Sequence, residues 1–329
     1  MESFQETELC FPQLLNSSCR RTVRPRSLSL LIYVTLSFIS LLTVVLNLLV
    51  IISISHFKKL HTPTNLLLLS LAVSDFLVGL LMFFQIMLID GCWLFGDLMC
   101  SLYFLLDYVI TCSSIGTMVL ISVDRYVAVC DPLQYPSRVT EGRVKVCVSL
   151  CWLLSAAFQC LLLRDSLRRP GGFSSCSGEC VVVVGYVDGV VDVLVSFIGP
   201  VAVIVVLYLR VLAVAVSQAR AVRSHVAAVA SQDSARFPAK KSEIKAFKSV
   251  SVIILVFLVC ICPYFCVTLS GGDSVLSASS VAFVMCLFYL NSCLNPVIYA
   301  LIYPWFRKSM KLIVTLQILE SGSCEANVV

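Results

Sequence analysis

The sequence predicts an all-α membrane protein: a seven-transmembrane helix bundle with a short amphipathic C-terminal helix. Three observations predict it. The 329 residues are 59% hydrophobic, with a mean hydropathy of +0.97. Only 13% are charged, about half the share usual in a soluble domain. The apolar residues fall into seven runs, roughly 28–54, 64–89, 98–130, 145–163, 187–213, 249–270 and 279–303. Each is long enough to cross hydrocarbon as a helix. An unpaired strand is excluded, because lipid offers its backbone no partners. The chain divides into an extracellular arm (1–27), a membrane domain (28–303) and an interfacial helix with a cytoplasmic tail (304–329).

Charge sets the orientation. With the N-terminus outside, the inner side holds 17 of the 24 Lys and Arg. They are Lys58 and Lys59; Arg125, Arg138, Arg143 and Lys145; the group from Arg210 to Lys248; and Arg307, Lys308 and Lys311. That is the positive-inside pattern. Arg20, Arg21, Arg24 and Arg26 oppose it but are fewer. Asn16-Ser17-Ser18 is a glycosylation sequon usable only outside. No basic-then-apolar leader precedes the first run, so no cleaved signal peptide is expected. The net charge of +5 reflects inner loops facing anionic lipid. The expected surroundings are membrane lipid, with no nucleic acid.

Most of the 17 cysteines lie in apolar runs or face the cytosol, where they pack as small hydrophobes. Six fall outside: Cys10, Cys19, Cys92, Cys100, Cys176 and Cys180. These are disulfide candidates whose pairing does not follow from sequence. The basic inner stretch 215–247 reads either as an extension of the fifth and sixth helices or as a flexible linker. Pro304-Trp305-Phe306-Arg307-Lys308 suits a short helix along the inner interface.

Two features carry chemistry. Asp107 is a carboxylate inside the third apolar run, and an intramembrane carboxylate is by default a cation site. Eighteen residues later the same helix reads Asp124-Arg125-Tyr126. That spacing is about five turns, roughly 27 Å, so the two sites lie on one face near opposite ends of a span. In the fifth run, Asp188 and Asp192 are four residues apart, hence on one helix face.

The motifs resemble a rhodopsin-like (class A) G-protein-coupled receptor. They are Asp124-Arg125-Tyr126 after the third span and Asn295-Pro296-Val297-Ile298-Tyr299 in the seventh, with Asn47, Asp75, Trp152, Pro200, Tyr208, Phe257 and Pro263 in order. The run Asn291 to Phe306, the arm Cys10 to Cys19 and the loop Cys176-Ser177-Gly178-Glu179-Cys180 narrow the resemblance to the trace amine-associated receptors. The resemblance implies an amine receptor of the plasma membrane, mostly olfactory in this subfamily. It would signal through a heterotrimeric G protein of stimulatory or olfactory type to cAMP. Asp107 then takes the ligand's ammonium, and Tyr289 resembles the tyrosine that hydrogen-bonds it. Tyr108, Tyr264 and Phe265 offer aromatic faces to a cation. Asp192, about two turns outside Pro200, stands where hydroxyl-binding monoamine receptors tend to have serines. A second carboxylate asks for a second cation, and neighbouring helices are roughly 8–10 Å apart. The expected ligand is therefore a diamine or polyamine held by Asp107 and Asp192. Asp188 either shares the second ammonium, guides entry or is a solvated loop residue.

By the same resemblance, Asp75, Ser114, Asn291 and Asn295 form a sodium site or a water-filled polar cluster; no other cofactor is expected. Arg125 pairs with Asp124 and, at rest, with Glu243; Tyr208 and Tyr299 meet it on activation. The freed inner cleft takes the G protein's C-terminal helix. One position departs from the family. Cys260-Ile261-Cys262-Pro263 places Ile261 where the family usually has tryptophan, leaving Phe257 to pass the motion. Cys100 is expected to pair with Cys180, and Cys176 with Cys10 or Cys19. A histamine- or serotonin-like monoamine receptor is the alternative within the family, and an organic-cation transporter outside it. No hydrolase or metalloprotease motif points to an enzyme.

Overall fold

The computed structural model describes the backbone of residues 9–14, 16–21, 25–89, 91–228, 237–269 and 278–328; the side chains of 215, 218–228, 237–250, 268 and 278–282 lie outside the described set. The first three spans are α1 (Arg26–His56), α2 (Pro63–Ile89) and α3 (Gly96–Cys130). A one-turn helix α4 (Tyr135–Arg138) leads to the fourth span, α5 (Glu141–Leu162). A short outer helix, α6 (Arg164–Arg168), follows. The fifth span joins α7 (Tyr186–Val193), a π turn at Leu194–Ile198, and α8 (Gly199–Ala228). The sixth is α9 (Phe237–Leu269) and the seventh α10 (Ala278–Ile302). The interfacial helix is α11 (Pro304–Val314). Among the described residues, six spans are apolar over a membrane-crossing length; α9 carries a shorter apolar stretch, Ser251–Val267.

Local chemistry fixes several boundaries. Pro63 opens α2, where its missing N–H leaves nothing unpaired. Thr140 caps α5 by accepting the Arg143 N–H. Arg307 ends α10 by donating to the Ala300 and Leu301 carbonyls at 2.9 and 3.1 Å. The helices flanking the basic inner stretch run past the bilayer, to Ala228 and from Phe237.

α3 is the hub. It packs against α2, α5, α6, the π turn, α8 and α9, while α1 packs on α2 and α10. Apolar side chains such as Phe38, Leu153, Leu154 and Leu255 are exposed, as a lipid-facing shell requires. Inside, an inner cluster gathers around Met118, Phe257, Tyr299 and Phe306. An outer cluster gathers around Met82, Trp93, Tyr103 and Tyr289. Polar contacts tie the helices together: Asn47 Nδ2 donates to the Ser292 carbonyl at 2.9 Å, and Trp152 Nε1 to Ser70 Oγ at 3.1 Å.

The tail does more than end. After two 3₁₀ turns, Gln317–Leu319 and Ser323–Glu325, it buries Val328 in the inner cluster. His56 Nε2 lies 3.0 Å from Ser323 Oγ. Such a return, made through a few small contacts, has no periodic signal in the sequence.

At the outer face Cys100–Cys180 ties α3 to the second outer loop, and two more disulfides, Cys19–Cys176 and Cys10–Cys92, stitch the arm to the loops. Of the two partners left open for Cys176, the structure takes Cys19, and Cys10 takes Cys92. The arm also pairs by backbone. Cys19 N–H donates to the Ser177 carbonyl at 3.0 Å, and Ser177 N–H to that of Ser17 at 2.6 Å. Gly178 has φ +100, and its missing Cβ leaves room for the Phe11 ring, 3.0 Å from where that atom would lie. The Ser175 N–H and hydroxyl both donate to Glu179, at 2.6 and 2.7 Å, holding its carboxyl below the usual range.

The tight α1–α2 crossing depends on Gly79. A Cβ there would lie 2.9 Å from Val44 Cγ2 and 3.1 Å from the Val44 backbone nitrogen. Gly142 faces open space. Gly79→Val is expected to destabilise the receptor by about 1–3 kcal/mol through overpacking. Gly142→Ala should be neutral or slightly stabilising. Thermal melting in detergent checks both; equal midpoints for the two variants would contradict the packing account.

Candidate ligand site and switch

Asp107 lies in the outer half of α3 and is half-buried. It makes no hydrogen bond or ion pair among the described residues. Asp192 is also half-buried, on α7. Its Oδ1 accepts from Ser196 Oγ at 2.8 Å and Gln159 Nε2 at 3.1 Å. Neither carboxylate faces a Lys or Arg among the described residues. Tyr108 stands in the field of both carboxylates, and so does Tyr264 of α9. The third and sixth spans therefore each bring a tyrosine into the neighbourhood of both carboxylates.

An aromatic cluster drawn from the π turn, α9 and α10 includes Tyr264. Phe197 and Phe265 stack at 4.0 Å and 9°. Tyr264 meets Phe265 edge-on at 5.3 Å and Phe288 at 4.7 Å. Such faces suit an ammonium's alkyl flank and its charge. Ile261 and Phe257 are buried in the inner cluster together with Phe197 and Phe265. Isoleucine rather than an indole thus packs directly in the cluster that holds Phe197 and Phe265.

Tyr289 departs from its expected partner. It is buried against Tyr103, and Tyr103 donates onward to Gln85 Oε1 at 2.6 Å. It makes no hydrogen bond to Asp107 among the described residues, because the Tyr103 hydroxyl provides a neutral partner. Asp188 sits in the first turn of α7, its Oδ2 3.4 Å from where a Gly185 Cβ would lie. There it complements the positive helix end. Asn16 is exposed on the outer arm.

Deeper in the bundle, Asp75 is fully buried. Its Oδ2 accepts from Asn295 Nδ2 at 2.8 Å. Asp75 Oδ1, Asn291 Oδ1 and Asn295 Oδ1 are buried without a hydrogen-bond partner. Ser114 is buried on α3. These three unpartnered oxygens, on α2 and α10, are of the type a hard cation takes.

At the inner end of α3, Arg125 Nε donates to Asp124 Oδ2 at 2.9 Å, and its Nη2 pairs with the same carboxylate. That Nη2 also donates to Thr64 Oγ1 at 2.5 Å. Tyr135 donates to Asp124 Oδ1 at 2.8 Å, and Thr64 to Oδ2 at 3.1 Å. Arg125 is thus held by Asp124 and Thr64, and Tyr135, on Asp124, completes the four-residue clamp. The Glu243 side chain lies outside the described residues. Tyr208 packs on the inner cluster. Tyr299 is fully buried, its hydroxyl unpartnered among the described residues. Tyr126 is half-buried beside the clamp. Pro263 and Pro296 lie inside α9 and α10, where each removes a helical hydrogen bond and permits a kink.

Sequence reasoning missed Gln159, Ser196, Thr64 and Tyr135. Gln159 had a signal: an amide in a lipid-bounded span must find a partner. Thr64 and Tyr135 had none, since they approach Asp124 from separate elements.

Seven helical spans, a disulfide-pinned outer face and an arginine clamp at the inner end of the third span define a seven-helix membrane receptor. Residues 46–299 match the family described as 7 transmembrane receptor (rhodopsin family), and the chain belongs to that family. It is a multi-pass plasma-membrane receptor rather than an enzyme. Within the family it groups with the trace amine-associated receptors. It is 36% identical to rat trace amine-associated receptor 8a over 328 residues, 96% of this chain and 95% of that protein. It is 36% identical to zebrafish trace amine-associated receptor 13c, over 99% and 97% of the two chains. Against chimpanzee trace amine-associated receptor 6 the identity is 35%, over 97% and 95%.

The clamp predicts basal behaviour. Tyr135→Phe and Thr64→Val each remove hydrogen bonds of this clamp, about 1 kcal/mol apiece. Each should raise ligand-independent signalling several-fold at equal surface level. Unchanged basal signalling in both would show that the clamp does not bias the equilibrium.

Proposed function

We propose that this receptor senses amines with two cationic ends, diamines or polyamines, as an olfactory-type receptor signalling through a stimulatory G protein to cAMP. The observation that carries the reading is the pair Asp107 and Asp192, two half-buried carboxylates without a basic partner among the described residues. A carboxylate in low dielectric attracts an ammonium far more strongly than one in water. One such group suffices for a monoamine; a second is costly unless a second cation meets it. Tyr108 and Tyr264 stand in the field of both. Asp188, at the α7 start, stands nearer the mouth and guides the cation inward.

Agonist binding couples to the inner end through α3, which carries Asp107 and Arg125 on one continuous helix. A ligand shifts the receptor only by its preference for the active form. In that form Arg125 leaves Asp124, Tyr208 and Tyr299 turn toward it, and the cleft admits the G protein's terminal helix. Asp75, Asn291 and Asn295, with Ser114, would hold a sodium ion. Bound there, the ion supplies positive charge that offsets the buried Asp75 carboxylate. Asn16 would carry glycan on the outer arm.

A monoamine reading stays in play for one reason: Asp192 Oδ1 already has two neutral donors, which lowers its need for a ligand. Substitution separates the two. Asp107→Ala should silence every amine. Asp192→Asn should raise the EC50 of terminal diamines about 10- to 100-fold, the loss typical of a charge-assisted contact, and leave monoamines nearly unchanged. A cAMP reporter with a panel of mono-, di- and polyamines reads this. Diamine responses that survive Asp192→Asn while monoamine responses fall would sink the two-carboxylate reading.

A further inference from the structure

Gln159 of α5 is 1% exposed, an amide buried against the fifth span from a peripheral helix. Only Val144 and Ser155 are buried with it on that helix. A buried amide is costly without partners, so its contacts show what it is for. Its Nε2 donates to Asp192 Oδ1 at 3.1 Å and lies 3.4 Å from Ser196 Oγ. Ser196, in the π turn, donates to the same Oδ1 at 2.8 Å. Both donors converge on one oxygen. Asp192 Oδ2 accepts no hydrogen bond among the described residues, and the residue is half-buried rather than sealed.

The character of the grip matters as much as its geometry. An amide and a hydroxyl are neutral donors. They fix a carboxylate's orientation but leave its charge intact, whereas Lys or Arg would cancel it. The π turn adds a second local device, since such turns recur where a helix must re-aim side chains at a functional site. Gln159 Oε1 has no hydrogen-bond partner. Among the described residues its amide therefore makes its polar contacts through Nε2 alone.

We propose that Gln159 is a positioning residue for the second cation. From the fourth span it holds Asp192 by Oδ1, turns Oδ2 to the ligand, and so sets the length of dication that reaches from Asp107. The proposal rests on the diamine reading above and adds a residue that acts only through Asp192.

The test uses the full receptor in cells, terminal diamines of graded chain length, a matched alkyl monoamine, and surface level measured in parallel. Gln159→Met keeps the length and bulk of the side chain and removes the donor, so the α5–α7 seam stays filled. The expected result is a loss of about tenfold or more in potency for the best wild-type diamine, the size of one lost hydrogen bond to a charge. The dependence on chain length should shift or flatten, while monoamine potency is retained. Two results would overturn the proposal: an unchanged length profile at equal surface level, or an equal loss for monoamine and diamines, which marks mere structural support. Asp192→Asn in the same assay keeps the layers apart. If it abolishes diamine selectivity and Gln159→Met does not alter it, only the role of Gln159 falls. If Asp192→Asn leaves diamine responses intact, the diamine reading falls, and this inference with it.

Discussion

An uncancelled negative charge inside a low-dielectric helix bundle is the constraint on which the rest depends. Water is the usual partner of a carboxylate, and a bilayer withholds it. The bundle meets that problem in three ways along its depth. Asp124 is neutralised outright by Arg125 and further held by Thr64 and Tyr135. Asp75 is shared with Asn295 inside a nest of orphaned oxygens. Asp107 has no partner among the described residues, and Asp192 has only neutral ones. The gradient from cancelled to open charge runs from the inner face to the outer. It marks the outer half as the place where a cation from outside completes the structure.

The architecture supports that division. The outer face is stapled by three disulfides and by backbone pairing between the arm and the second outer loop. Disulfides of this kind stabilise chiefly by restricting the unfolded chain, and here they hold the rim of the ligand region. The inner end has no covalent tie. It is held by hydrogen bonds worth about 1 kcal/mol each and by packing of α11 and the tail, down to Val328. A rigid rim and a soft inner end suit a molecule that receives a ligand at one face and changes shape at the other. α3 joins them as one continuous helix.

Much of this was legible in the sequence, for physical reasons. Long apolar runs announce spans because lipid leaves no other backbone solution. Asp107 and Asp192 announce themselves because a charge is rare in such runs. Paired cysteines announce themselves only as a set. Cys10 meeting Cys92, rather than Cys176, depends on how the arm folds over Gly178 and Phe11. Resemblance alone pairs Tyr289 with Asp107, yet it packs on Tyr103, whose own hydroxyl donates to Gln85; no local pattern encodes that competition. The π turn at Leu194–Ile198 was likewise invisible, since one extra residue per turn leaves the hydropathy unchanged. The tail's return under α1 rests on a few small contacts, too few to leave a periodic trace.

The most direct test is a structure of this receptor bound to a saturating terminal diamine. The account predicts one ligand nitrogen within about 3 Å of an Asp107 oxygen and the other equally close to Asp192 Oδ2, the length of a charge-assisted hydrogen bond. Density with one nitrogen on Asp107 and the other pointing to the mouth, with Asp192 still bound only by Gln159 and Ser196, would contradict it.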